Sequence, residues 1–415
     1  MVALSILLSG LLAGLLSQSD GVDIFGSTSF VSVVFSSGGG GVAVAVIAAS
    51  VLAMLVRRLS ILTGLSIAAA VVAGVTALLM PSDLAEVVAG GVLLGCSAVR
   101  ANGVRIREAL LIGSFFLGLL SAGAVEALQY PGIPRRYADY LSETDIGTPV
   151  IVPVLCLVVV LTVAWSARID RGENNAPPER SRRTVGAILL VSIGGLLLAV
   201  LFGHSIFQSQ YGFVGRWYFA VLVVPVLFGA AALLPGRGGI MILAGTVVLI
   251  TSTTTAGVGI EVSDGVWTLG LVAVIAVAVT VGGALGVRWG RPVVGFGILA
   301  VVCVTGLFES PPLDNVNYAA SLLIFPAAAA YLYVACASAT PATPTALSLG
   351  LEVPVAITVP MVVTYGWTAH TPLTTIDTST FSPGIDLWLS TGAAVVTVVL
   401  AGVGTRVLRR RPLPN

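Results

Sequence analysis

The chain has 415 residues, of which 57% are hydrophobic and 9% charged, with a mean hydropathy of +1.04. A soluble domain carries about 25% charged residues, so this composition excludes one and predicts an all-α, polytopic membrane helix bundle. The basic residues are 20 arginines with no lysine, against 19 acids and 2 histidines, which excludes a Schiff-base lysine and any haem or metal centre built from several imidazoles. Cys96, Cys156, Cys303 and Cys336 lie inside apolar runs without a CxxC spacing and read as small buried hydrophobes.

Apolar runs long enough to span a bilayer recur along the chain. They cover 2–17, 41–56, 60–80, 84–99, 107–128, 148–166, 184–203, 217–234, 238–258, 266–286, 292–309, 317–338, 344–365 and 387–405, fourteen in all. The first has neither a basic leader nor an A-x-A cleavage site, so it is kept as a helix. With both termini inside, seventeen arginines and four acids fall on the inner side, and three arginines and fourteen acids on the outer. That asymmetry obeys the positive-inside rule for a cell (cytoplasmic) membrane protein. The loop "SATPATPT" carries no charge and leaves open whether 344–365 spans or re-enters.

Four segments follow. They are a membrane half over 1–166, a charged cytoplasmic linker over 167–183, a second half over 184–338, and an additional two-helix segment with a basic tail over 339–415. Tight basic turns recur as "LVRRLSILTG" and "VRANGVRIREALLIG" in the first half, and as "LPGRGGIMILAG" and "GVRWGRPVVGFGI" in the second. This layout resembles the major facilitator superfamily. Arg57, Arg58 and Gly64 stand where that family has its basic signature, which here lacks the Asp and the first Gly. The resemblance implies two six-helix halves with a substrate passing between them. It also puts the extra pair of helices at the C-terminus, whereas the fourteen-helix drug exporters of that superfamily carry theirs in the middle.

Within this frame a few residues carry candidate chemistry. Glu352, in "LSLGLEVPVAITVPMVV", is the one acid deep inside a span, and Pro354 and Pro360 after it predict a kink. Such a group is a candidate proton- or cation-coupling carboxylate, or a protonated tie between helices. Thr251, Ser252, Thr253, Thr254 and Thr255 could line a polar path or bond back to their own helix. On the outer face, His204 and Arg216 sit among Tyr and Trp residues of an interfacial belt, and Asp20 and Asp23 follow the first span. Integral-membrane glycosyltransferases acting on lipid-linked sugars carry a catalytic acid in that loop.

Arg135 and Arg136, in "GIPRRYADY", resemble a propionate-binding loop of haem-copper oxidases. Two histidines cannot supply that family's ligands. The pair is then a candidate anion site, or a surface turn paired with Asp139, Glu143 or Asp145. Three functions remain open: a transporter or flippase-like carrier, a membrane enzyme acting on lipid-linked phosphate at the outer face, and a non-catalytic subunit of a larger complex. The expected partners are the bilayer and a small-molecule or lipid substrate, without nucleic acid, metal or cofactor.

Overall fold

A computed structural model describes residues 1–17, 37–56, 58–79, 83–129, 150–169, 181–207, 221–235, 237–255, 265–308, 313–339, 343–357 and 385–411. Among these every regular element is helical. In a bilayer core a helix satisfies its own backbone polar groups, which continuous apolar sequence cannot do otherwise without a closed barrel. The first six helices are α1 (Val2–Leu16), α2 (Val42–Leu55), α3 (Leu59–Leu79), α4 (Asp83–Ala101), α5 (Arg105–Gln129) and α6 (Ile151–Ile169). A π-helical turn, Ser37–Gly41, leads into α2. Next come α7 (Arg182–Phe207) and α8 (Val223–Leu233). The chain continues through α9 (Gly239–Thr254), α10 (Gly265–Trp289), α11 (Pro292–Thr305), the short α12 (Asp314–Ala319) and α13 (Phe325–Ala339), with a π-helical Ala320–Ile324 joining the last two. It ends with α14 (Pro344–Ala356) and α15 (Ile385–Arg409). Eight helical stretches among the described residues are long and apolar enough to cross a membrane.

The turns are set by local chemistry. Gly103 (φ 80°) and Gly290 (φ 51°) adopt the left-handed conformation after α4 and α10, where an L side chain would be strained. Pro292 and Pro344 open α11 and α14, positions at which a missing N–H costs nothing. The Thr343 hydroxyl caps α14 by accepting from the Ala346 N–H at 3.2 Å. Pro354 lies two residues before the end of α14, and Ile357 is already extended. Residues 358–365, including Pro360, are outside the described residues.

Two sets of six helices share six pairings. In the first set α1 packs on α4, α5 and α6, α4 packs on α2 and α3, and α3 packs on α6. In the second set α9 packs on α13, α14 and α15, α13 packs on α10 and α11, and α11 packs on α15. The contacts between sets repeat as well: α5 lies on α10 and α13, and α14 lies on α2 and α4. Exchanging the sets therefore maps these pairings onto one another, as a pseudo-two-fold relation requires; the α9–α11 packing and the slighter α4–α5 packing have no counterpart of like extent.

This grouping differs from the division at 184–338 expected from loop charge. The second set starts with α9 and needs α14 and α15 to complete it. The pair outside both sets is α7 and α8, in the middle of the chain rather than at its C-terminus. Of that pair, α7 packs on α2 and α14, while α8 packs on α9 and α15.

Small residues make the closest approaches in both sets. A β-carbon on Gly91 or Gly95 of α4 would meet the carbonyls of Ala45 and Ala49 on α2. In the second set the glycines have changed sides, with Gly282 of α10 running against the carbonyl of Ala327 on α13. Gly10 and Gly14 bring α1 onto α5, and Gly245 brings α9 onto α14 beside Gly350. Membrane helices gain van der Waals contact this way because lipid offers no hydrophobic drive between them.

The core lies along α9, where every residue from Gly239 to Thr251 is buried. Outward positions on α3, α6 and α15, such as Leu79, Leu161, Trp165 and Val403, expose large apolar side chains, as helices facing lipid would. All four cysteines are buried, and none forms a disulfide.

Candidate functional site

Glu352 stands in the third turn of α14, eight residues beyond Pro344. At roughly 1.5 Å per residue that is about 12 Å along the helix, deep within a hydrocarbon core about 30 Å thick. The residue is 0% exposed, and neither carboxylate oxygen has a hydrogen-bond partner. An ionised carboxylate without water or donors costs several kcal/mol. The chemistry open to it is exchange, because the proton or cation that neutralises it is what it can bind and release.

Its helix is held from several sides. α9, α2, α4 and α7 all pack on α14. Toward α9 the contact runs through Ala346 against Gly238, Gly350 against Met241, and Val353 against Gly245. Tyr333 of α13 donates its hydroxyl to the Gly350 carbonyl at 2.6 Å, which fixes α14 against the second set. Glu352 lies roughly a third of a turn away from that α9-facing stripe, at about 100° per residue. It shares a face with Thr345 and Ser348, which are also 0% exposed. The spacing i, i+3, i+7 of this polar stripe is legible in "PTALSLGLE", although the sequence reading singled out the acid alone.

The contact of Ala346 with Gly238 also fixes the direction of α14. Its first residues lie at the end of the bundle where α9 begins, next to Arg237. That is the arginine-rich end, so α14 enters the bundle there, a point on which the uncharged loop before it was silent.

The hydroxyls at the end of α9 are tied to their own helix. Thr251 donates to the Val247 carbonyl, Ser252 to Leu249, Thr253 to Ile250, Thr254 to Thr251 and Thr255 to Ser252. Thr251 also lies 3.4 Å from the Cys303 sulfur on α11. This run sits far along α9 from Gly238, near which α14 begins, and the structure does not bring it to Glu352 by any hydrogen bond.

The remaining candidates are not drawn into this site. Asp20, Asp23, Arg135, Arg136 and Arg216 lie outside the described residues, and of His204 only the backbone of α7 is described. The second acid buried near the start of an equivalent helix is Glu108 of α5, 5% exposed. Its carboxylate accepts the Gly103 N–H at 3.0 Å, so it closes the α4–α5 turn. No protein-family model matches the chain, and no curated protein matches it.

Proposed function

We propose that the chain is a secondary transporter of the major facilitator kind in the cell membrane, with Glu352 as its coupling carboxylate. The observation that carries this reading is that six helix pairings, together with both contacts between the sets, recur when the two six-helix sets are exchanged. A pair of pseudo-equivalent sets meeting at a seam is the arrangement that alternating access uses, with one set rocking against the other. The substrate, a small molecule or lipid, passes between the sets. Glu352 lies on a helix that belongs to the second set yet packs on α2 and α4 of the first. A proton or cation taken up there changes the charge state of the joint itself, which is where it can bias one arrangement over the other.

Vesicles containing the purified full-length chain test this. Uptake from a mixture of small molecules is read by mass spectrometry under an imposed pH step, with and without a protonophore. At least one solute is expected to accumulate only when the gradient is present, and Glu352→Gln is expected to lose that accumulation. Normal gradient-driven uptake by Glu352→Gln, with activity abolished by Arg135→Ala, would overturn the reading in favour of chemistry at the outer face.

A further inference from the structure

Two helices that pack on α14 also carry buried, unpartnered hydroxyls. Ser50 of α2, Thr184 of α7 and Thr345 of α14 are each 0% exposed, and none of their side-chain hydroxyls has a hydrogen-bond partner. Buried hydroxyls nearly always have one. Three orphaned hydroxyls and an orphaned carboxylate on three helices that pack on one another, α2, α7 and α14, call for a common cause.

Their levels in the bundle form a series. Gly195 of α7 runs against the carbonyl of Ala356, one turn beyond Glu352 on its own face. Thr184 lies eleven residues before Gly195, three turns back on the same face of α7. Gly186 packs on Leu233 and Gly194 on Val226, so α7 starts where α8 ends, at the arginine-rich end where α14 also starts. Thr184 and Thr345 thus share a level close to that end. Ser50 comes next, five residues before the last residue of α2. Glu352 is the innermost.

We propose that this seam between α2, α7 and α14 is a hydrated route along which protons travel between the arginine-rich face and Glu352. The inference rests on the reading of Glu352 as the coupling group. Water inside a polar seam satisfies the orphaned hydroxyls and relays a proton to a Glu352 oxygen, one O–H bond forming as a water O–H bond breaks. Among the described residues of α2, α7 and α14, no other ionisable group lies between the arginine-rich end and Glu352, and the Tyr333 hydroxyl of α13 is engaged with the Gly350 carbonyl. α9 and α2 have none. On α4, Asp83 and Glu86 lie at one end and Arg100 at the other, with Cys96 buried between. On α7, Arg182 and Arg183 flank the mouth and His204 lies at the far end. None of them hydrogen-bonds Glu352. The route also gives the inserted helix α7 a role, since it forms one wall.

Hydrogen–deuterium exchange of the Glu352 carboxyl, followed by infrared spectroscopy on the full chain in lipid, tests the route. The Glu352 band is identified as the carboxylic band missing from Glu352→Gln. Exchange is expected to slow severalfold in Ser50→Ala/Thr345→Val and in Thr184→Val. Those variants remove hydroxyls that bond to no protein group, so folding is retained. Thr246→Val, which removes a buried α9 hydroxyl bonded to the Ile242 carbonyl, should leave the rate unchanged. Equal exchange rates in wild type and all seam variants would overturn the route, as would a Glu352→Gln spectrum that loses no carboxylic band. Failure of Glu352→Gln to affect uptake is a separate result, which removes the coupling role whatever the exchange rates show.

Discussion

The two six-helix sets share six helix pairings and differ in their acids. In the first set, Glu108 sits in the first turn of α5 and accepts the Gly103 N–H at 3.0 Å. In the second, Glu352 sits in the third turn of the equivalent α14 with no partner. One carboxylate closes a turn, and the other has no structural use that its surroundings reveal. Pseudo-equivalent halves can therefore keep one architecture while, among the described residues, only one of them places an unpartnered carboxylate at the joint.

The comparison can be broken most directly at the acids. Glu352→Gln is expected to reduce gradient-driven uptake into vesicles to the level of protein-free vesicles, whereas Glu108→Gln retains it. Equal loss in both would mean that the sets are functionally alike. Stability should move the other way. Glu352→Leu removes an unpartnered buried polar group, so its melting temperature in detergent should match or exceed wild type. Glu108→Leu leaves the Gly103 N–H without its acceptor and should cost about 1–3 kcal/mol.

Packing variants sharpen the repeat itself. Gly91→Ala in the first set and Gly282→Ala in the second both drive a β-carbon into a partner carbonyl, at an expected cost of about 1–3 kcal/mol each. Gly283→Ala, adjacent to Gly282 but with nothing within 4 Å of its β-carbon, should melt like wild type. A Gly283 variant as damaging as the Gly282 one would contradict the α10–α13 pairing. A smaller effect, about 1 kcal/mol, is expected from Thr343→Ala, which removes the cap of α14. The smallest belongs to Arg411→Ala. That guanidinium donates to the Ala232 carbonyl at 3.0 Å and ties the tail to α8, and an exposed bond of this kind contributes no more than about 1 kcal/mol.

Much of this architecture was legible in the sequence because bilayer physics writes it there. Helices occupy every apolar run wherever those residues are described, and the tight basic turns at Arg57-Arg58, Arg100–Arg107 and Arg288/Arg291 all separate helices. The grouping of helices was not legible. Loop charge reports which side a turn is on, not which helices touch, so it assigned 184–338 to one half and left the extra pair at the end. The close approaches that define the sets, such as Gly91 on Ala45 and Gly282 on Ala327, place the glycine on opposite partners. A repeat preserved in space was thereby erased in letters.

The site divides the same way. An acid inside an apolar run is conspicuous, and Glu352 was found because charge in a membrane is costly. Ser50 and Thr184 were invisible because single hydroxyls in apolar helices ordinarily bond to their own backbone, as Thr251 to Thr255 do. By itself, then, the sequence determined that the chain is a helical membrane bundle, where its helices run, and that one carboxylate is anomalous, since each follows from the local cost of exposing polar groups to lipid. Only the tertiary structure decided which six helices form each set, which pair is inserted, and that two helices packed on the Glu352 helix also carry orphaned hydroxyls. Those facts depend on contacts between residues far apart in the chain, and hydropathy along the chain carries no record of them.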